Sequence, residues 1–131
     1  MAFIVTILPN EPIILLRFDL PLEKHLGILR HVWTRCARLV DEHDGLLYRI
    51  LDTRNLDIAY SDVLLILDDL RYDRPGSLSD PQIQSVAVGD SPILTLGLQK
   101  ISEQCHIDIP IFDTLDAALT AIRAEITAQP G

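Results

Sequence analysis

The amino-acid sequence predicts a single α/β domain with the element order ββαβαβαβα, in which a five-stranded, mixed but mostly parallel sheet packs with four helices. Short β-rich runs alternate with longer segments whose apolar residues recur every three or four positions, which is typical of strands joined by crossover helices. The 131 residues are 48% hydrophobic, which suffices for one hydrophobic core but not for two. We therefore expect one domain over residues 1–131, with a core from about 3 to 126 and a flexible end at 127–131.

The N-terminal part of the sequence predicts a hairpin followed by a helix. Phe3–Leu8 and Ile13–Phe18 are β-rich runs on either side of a Pro-Asn-Glu-Pro turn. From Leu22 onwards, apolar residues recur at steps of three and four, and Gly45 ends the pattern as glycine does after a helix. A short strand, Leu46–Leu51, is predicted next.

The second predicted helix is unusually apolar. Asp57–Leu70 is helical in length and composition, and its run Val63–Leu67 is apolar around nearly the whole circumference. One side of this helix can pack on the sheet, so the other side needs cover from elsewhere. We therefore expect Val63, Leu64 and Leu67 to form an interaction surface, which self-association through this helix would cover.

The C-terminal half continues the alternation of strand and helix. A loop dense in Pro, Gly, Ser and Asp, Asp73–Pro81, separates the two halves without marking a domain boundary. After it we predict a strand, a helix, a strand and a helix at Ile83–Val88, Pro92–Cys105, Asp108–Phe112 and Leu115–Ile126. Strands that alternate with helices imply right-handed crossovers and parallel pairing.

Charge and composition narrow the range of partners. The net charge of −8 repels nucleic acid and anionic membranes, and Arg30, Arg35 and Arg38 share their helix with acidic residues, so we expect no basic patch. The apolar N-terminal segment is too interrupted for a membrane span. Cys36 and Cys105 are expected to be reduced, packed thiols, so we expect a cytoplasmic protein that binds no nucleic acid and does not insert into membranes.

Two segments turn from a strand into a helix: Ser85–Pro92 (SVAVGDSP) and Ile111–Leu119 (IFDTLDAAL). Together with Leu51–Arg54 (LDTR) and the element order, they resemble the STAS fold of anti-sigma-factor antagonists. The sequence of these segments is most similar to that of small stand-alone bacterial domains of the STAS/SEC14-like type, and the resemblance covers residues 3–126. The resemblance implies a non-enzymatic regulatory module that binds a protein partner or itself, with a binder of lipids or other small apolar molecules as the alternative.

The resemblance also implies a candidate phosphoacceptor. Antagonists of this type carry a phosphorylated serine at the start of the second helix, and Ile58–Asp62 (IAYSD) occupies that place here. Ser61 is the matching serine, although Tyr60 stands where a small residue is expected and the motif's glycine is missing. The competing interpretation is that Ser61 has only a structural role at the start of the helix.

Three carboxylates follow three predicted strands. Asp52, Asp90 and Asp113 would lie along the carboxyl edge of a parallel sheet, where open α/β folds bind ligands. Such oxygen ligands suit Mg²⁺ or another cation, whereas the helix start at Asp90 and Ser91 would suit an anion. We favour a structural role, in which Asp90-Ser91 and Asp113 cap the helices that follow them. No metal, cofactor or catalytic residue is assigned.

Overall fold

Strands and helices alternate along the chain in the predicted order. The computed structural model describes residues 3–18, 28–56 and 58–128. Its strands are β1 (Phe3–Ile7), β2 (Ile13–Phe18), β3 (Leu47–Asp52), β4 (Ile83–Val88) and β5 (Ile111–Phe112). Its helices are α1 (Ile28–Glu42), α2 (Tyr60–Leu70), α3 (Pro92–Cys105) and α4 (Leu115–Ala128). The predicted α/β fold class is confirmed.

Several boundaries differ from the predicted ones. Strand β1 ends at Ile7 rather than Leu8, and β3 covers Leu47–Asp52 rather than Leu46–Leu51. Helix α2 begins at Tyr60 because the Asp62 carboxylate accepts a hydrogen bond from the Ala59 N–H (2.8 Å), which closes the first turn there. Strand β5 has two residues rather than five, since Pro110, just before it, has no N–H to donate to the sheet. Helix α4 extends to Ala128. The predicted helical residues from Leu22 to Gly27, and Asp57, lie outside the described residues.

The strands lie in the sheet in their sequence order, β1-β2-β3-β4-β5. Strand β1 pairs antiparallel with β2, and the other neighbours pair in parallel. Since each right-handed crossover steps to the next strand in the same direction, the connecting helices α1, α2 and α3 share one face of the sheet. Helix α4, which connects no strands, covers the other face.

Alternating side chains of the central strand show the two faces directly. Leu47 and Leu51 of β3 pack into the cluster beneath α1, α2 and α3, whereas Tyr48 and Ile50 pack beneath α4. An ion pair from Arg123 in α4 to Glu11 (2.8 Å) ties α4 to the β1–β2 turn. None of the helices in the described ranges combines the length and hydrophobicity that a membrane crossing requires.

Candidate functional site

The first of the three predicted carboxylates, Asp52, is neutralised by arginines. Its side chain is 4% exposed at the end of β3. Arg54 donates to both carboxylate oxygens, from Nε at 2.9 Å and from Nη2 at 2.8 Å, and Arg17 Nε lies 3.9 Å away. These hydrogen bonds hold the pKa of Asp52 below its usual range. The carboxylate is therefore already matched by positive charge and is not presented to a cation.

The other two carboxylates do not combine with Asp52 into a metal-binding group among the described residues. Asp90 and Asp113 are exposed, and the described part of the chain contains no group of three or more His, Cys, Asp or Glu residues that could hold a metal ion. The Ser91 hydroxyl caps α3 as predicted, accepting from the Leu94 N–H at 3.4 Å. Thr114, rather than Asp113, caps α4, because the helix begins at Leu115 and the Thr114 hydroxyl accepts from the Ala117 N–H at 3.1 Å.

The turn within Ser85–Pro92 is closely packed by the protein's own atoms. The Thr53 hydroxyl donates to the Val88 carbonyl (2.8 Å) and lies directly against Gly89, where a Cβ would collide with it. Thr53 therefore occupies the space on the Cα side of Gly89. The geometry supports the structural interpretation of this corner.

The sequence analysis missed Arg49, which is fully buried in the middle of β3. Its Nε donates to the Ser85 hydroxyl (3.1 Å), and Nη1 and Nη2 donate to the carbonyls of Gly76 (2.5 Å) and Ser77 (3.0 Å). The guanidinium also lies 5.1 Å from the centroid of the Trp33 ring. A charged residue in the centre of an otherwise apolar parallel strand was the available signal, since such strands are buried on both faces.

Arg49 draws the loop before β4 into the core. Gly76, Ser77 and Leu78 are buried, although the composition of this segment is that of a solvent-exposed loop. Burial lowers the pKa of the Arg49 guanidinium, while the neighbouring Cys36 and Asp80 act in the opposite direction. With three of its donors used by the protein, Arg49 anchors the loop and is not poised to bind a ligand.

A small apolar cavity lies between the sheet and the helices α1, α2 and α3. Its volume is about 70 Å³, and its lining includes Phe18, Trp33, Leu51, Leu56, Ile58, Val63, Ile66, Ala87, Leu94 and Leu98. Engineered apolar cavities that bind benzene have about twice this volume, near 150 Å³. The cavity as it stands is too small for a lipid chain.

A larger open groove runs between α2 and the C-terminal end of α3. Its volume is about 840 Å³. Tyr60 and Leu64, which are 46% and 50% exposed, line it together with Leu67 and Ile107. The lining also includes charged side chains of both signs: Asp68, Arg71, Asp73 and Lys100. We call this surface the α2–α3 groove.

The structure corrects one of the three residues predicted on the interaction surface. Val63 is 4% exposed and packs against α3, where a Cβ at Gly97 would lie 2.8 Å from Val63 Cγ2. Successive helical residues are turned by about 100°, so Val63 faces the core and Leu64 faces outwards. Leu67 is half-buried at the floor of the groove.

Ser61, the candidate phosphoacceptor, lies in the first turn of α2 and is exposed. It follows Tyr60, which lines the α2–α3 groove, so a group attached to Ser61 would stand beside that groove. Neither a protein-family model nor a curated protein matches the chain. What the protein does must therefore follow from its own geometry.

Proposed function

We propose that the protein is a non-enzymatic regulatory module of STAS-like architecture that pairs with a second copy of itself through the α2–α3 groove. The observation that carries this proposal is the exposed apolar side chain of Leu64, beside Tyr60 and above Leu67. Contiguous apolar side chains rimmed by charge are typical of surfaces that bind proteins.

The distribution of charge favours a second copy as the occupant. The rim of the groove carries an ion pair between Asp68 and Arg71 (3.0 Å) and, outside that pair, the opposite charges of Asp73 and Lys100. In a two-fold interface the same patch meets itself, so a patch with both signs of charge can pair its acids with the bases of the other copy. Burying the exposed half of each Leu64 would add about 1 kcal/mol per copy.

Light scattering coupled to size-exclusion chromatography tests this proposal. Wild-type protein should have the mass of a dimer, and Leu64→Asp should have the mass of a monomer, because an uncompensated carboxylate would be buried at the contact. Leu96→Asp is the matched control, since Leu96 is 41% exposed on α3 but does not line the groove. A monomeric wild type at all concentrations, or equal masses for both variants, would contradict the proposal.

Phosphorylation of Ser61 would regulate this association. A phosphoryl group adds a charge of about −1.5 to −2 beside Tyr60 and the apolar part of the groove. We therefore expect Ser61→Glu to weaken pairing and Ser61→Ala to leave it unchanged, as read from the concentration dependence of the mass. If both variants pair as tightly as the wild type, Ser61 does not regulate the groove.

The proposal places the protein in the cytoplasm. Cys36 is buried and Cys105 is half-buried, and neither forms a disulfide. Thiols stay reduced in compartments that glutathione and thioredoxin keep reducing.

The alternative function, binding of a small apolar molecule, is supported by the apolar cavity. Its volume of about 70 Å³ admits only a very small ligand. Native mass spectrometry of freshly purified protein distinguishes the two functions. A co-purifying apolar molecule would favour the alternative, and a ligand-free dimer would favour the proposed function.

A further inference from the structure

Strand β1 forms an edge of the sheet, and within residues 3–18, 28–56 and 58–128 no strand pairs with its outer side. Strand β1 is the terminal strand of the sheet, and Leu8 N donates to Ile13 O (2.9 Å) just beyond the β1–β2 ladder. Hydrogen-bonded and non-bonded pairs alternate along an antiparallel ladder. Because Leu8 belongs to a bonded pair, the backbone groups of Thr6 and Ile4, two and four residues before it, also bond to β2. The N–H and C=O groups of Val5 and Ile7 therefore point away from the sheet.

The sequence of β1 itself lacks the features that usually protect an edge strand against pairing. Natural edge strands are kept short, or carry lysine, proline or a bulge, which discourage the addition of another strand. The sequence of β1 is FIVTI, with no charged residue and no proline. In the described part of the chain, no strand pairs with the outer side of β1.

Two arginines stand beside this edge. A groove of about 220 Å³ between β1 and α1 is lined by Val5, Ile7 and Leu39, with Arg35, Arg38 and Glu42. The guanidinium of Arg35 lies 5.8 Å from the centroid of the Phe3 ring, at the other end of the strand. Among the described residues, neither Arg35 nor Arg38 forms an ion pair, although the sequence predicted that acidic neighbours would balance them.

We infer that an extended acidic segment of a partner protein adds to the sheet along β1, with its carboxylates facing Arg35 and Arg38. Strand addition supplies main-chain hydrogen bonds, and pockets for alternate side chains supply specificity. The alternate, apolar side chains of the added segment would lie on the other face of the sheet, beside Ile4, which is 42% exposed. This surface is distinct from the α2–α3 groove, so the inference goes beyond the proposed function.

Charge argues for an acidic segment over a second copy of the chain at this edge. A second copy pairing here through its own β1 would bring two arginines and one acid, Glu42, towards the same groove, so the excess positive charge of the two grooves would repel. The net charge of −8 does not oppose an acidic segment strongly. At physiological ionic strength charges are screened beyond about 8 Å, so the nearby arginines dominate.

Fluorescence anisotropy with short labelled peptides tests the inference. A peptide of alternating valine and glutamate should bind wild-type protein, and one of alternating valine and lysine should not. The double variant Arg35→Glu with Arg38→Glu should weaken binding of the glutamate peptide at least tenfold, because it turns attraction into repulsion. Equal binding of both peptides, no effect of the double variant, or no binding to wild type would overturn the inference.

Val5→Pro tests the main-chain part separately. It removes an N–H that points outwards and leaves the bonds to β2 in place, so the fold should persist, as checked by Trp33 fluorescence, while peptide binding falls at least tenfold. If Val5→Pro does not fold, the double variant Arg35→Glu with Arg38→Glu still tests the inference, because both of its changes are exposed on α1. Loss of dimer mass in Val5→Pro would show that a second copy occupies this edge and would overturn the inference. Loss of dimer mass in Leu64→Asp alone bears only on the proposed function.

Discussion

The guanidinium of Arg49 lies 5.1 Å from the centroid of the Trp33 ring, so a strand of the sheet and helix α1 meet through a buried cation and an aromatic ring. The Trp33 indole N–H donates in turn to Asp69 Oδ2 (2.6 Å), near the end of α2. Asp69 also pairs with Arg74 (3.3 Å) at the start of the buried loop. This chain of contacts joins β3, α1, α2 and the loop before β4 into one unit.

Replacing Arg49 with methionine should lower the free energy of unfolding by about 3 kcal/mol. Methionine keeps the apolar stem, but it removes the Arg49 donor from the buried Gly76 carbonyl and leaves the Ser77 carbonyl with only the Asp80 N–H at 3.2 Å. Urea unfolding followed by the fluorescence of Trp33, the single tryptophan, measures the loss. Arg71→Met is the control, because its ion pair with Asp68 is exposed and should contribute less than about 1 kcal/mol. Equal losses in the two variants would contradict the anchoring role of Arg49.

Gly76→Ala should be more damaging than Gly45→Ala, although both glycines have positive φ, +79° and +109°. A Cβ at Gly45 would meet no atom within 4 Å. Gly45→Ala should therefore lower the free energy of unfolding by only about 1–2 kcal/mol, through backbone strain alone. A Cβ at Gly76 would collide with the Trp33 carbonyl and with the Ala37 nitrogen, at 2.6 Å from the latter. Pushing α1 away adds to the strain, for a total above about 3 kcal/mol. In thermal unfolding, Gly76→Ala should therefore have a clearly lower midpoint temperature than Gly45→Ala.

Asp52→Asn should lower stability at neutral pH but not in acid. Hydrogen bonds from Arg54 lower the pKa of Asp52 from its ordinary value of 3.8, so the ionised carboxylate favours the folded state. This contribution is complete above the unfolded pKa and is lost as the pH falls through the lower folded pKa. Urea unfolding between neutral pH and about pH 2 should show the wild-type and variant stabilities converging below about pH 4. A difference that stays constant over this range would mean that Asp52 acts through packing rather than charge.

Val63→Ala and Leu64→Ala should separate stability from association. Val63 is buried against Gly97, so its truncation should lower the free energy of unfolding by about 2 kcal/mol without changing the mass. Leu64 is half exposed, so its truncation should change the stability of dilute protein by less than about 0.5 kcal/mol. It should nevertheless shift the mass towards a monomer. Chemical unfolding and light scattering on the same samples distinguish the two effects.

Much of the fold was predictable because its signals are local. Strand β4 and helix α3 have the predicted boundaries, since Ser91 and Pro92 together mark a helix start within a few residues. The alternation of strand and helix was equally local, and right-handed crossovers then led to parallel pairing.

The candidate site was less predictable, because its contacts join distant parts of the chain. The arginine partners of Asp52 include Arg17 on the neighbouring strand, which the register of β2 and β3 brings opposite it. The orientation of Val63 depends on how α2 packs against Gly97 of α3. An apolar run of five residues does not reveal which of its members faces the core.

The sequence by itself determined the kinds of elements, their order and the caps that begin helices, since these depend on side chains a few positions apart. Only the tertiary structure decided that Arg49 is buried, that the polar loop containing Gly76 is held in the core, and that β1 is the edge strand beside Arg35. The physical reason is that burying a charge or a loop carbonyl is tolerable only when its partners are present. Those partners lie 27 and 28 residues away from Arg49 in the chain, and folding alone brings them together.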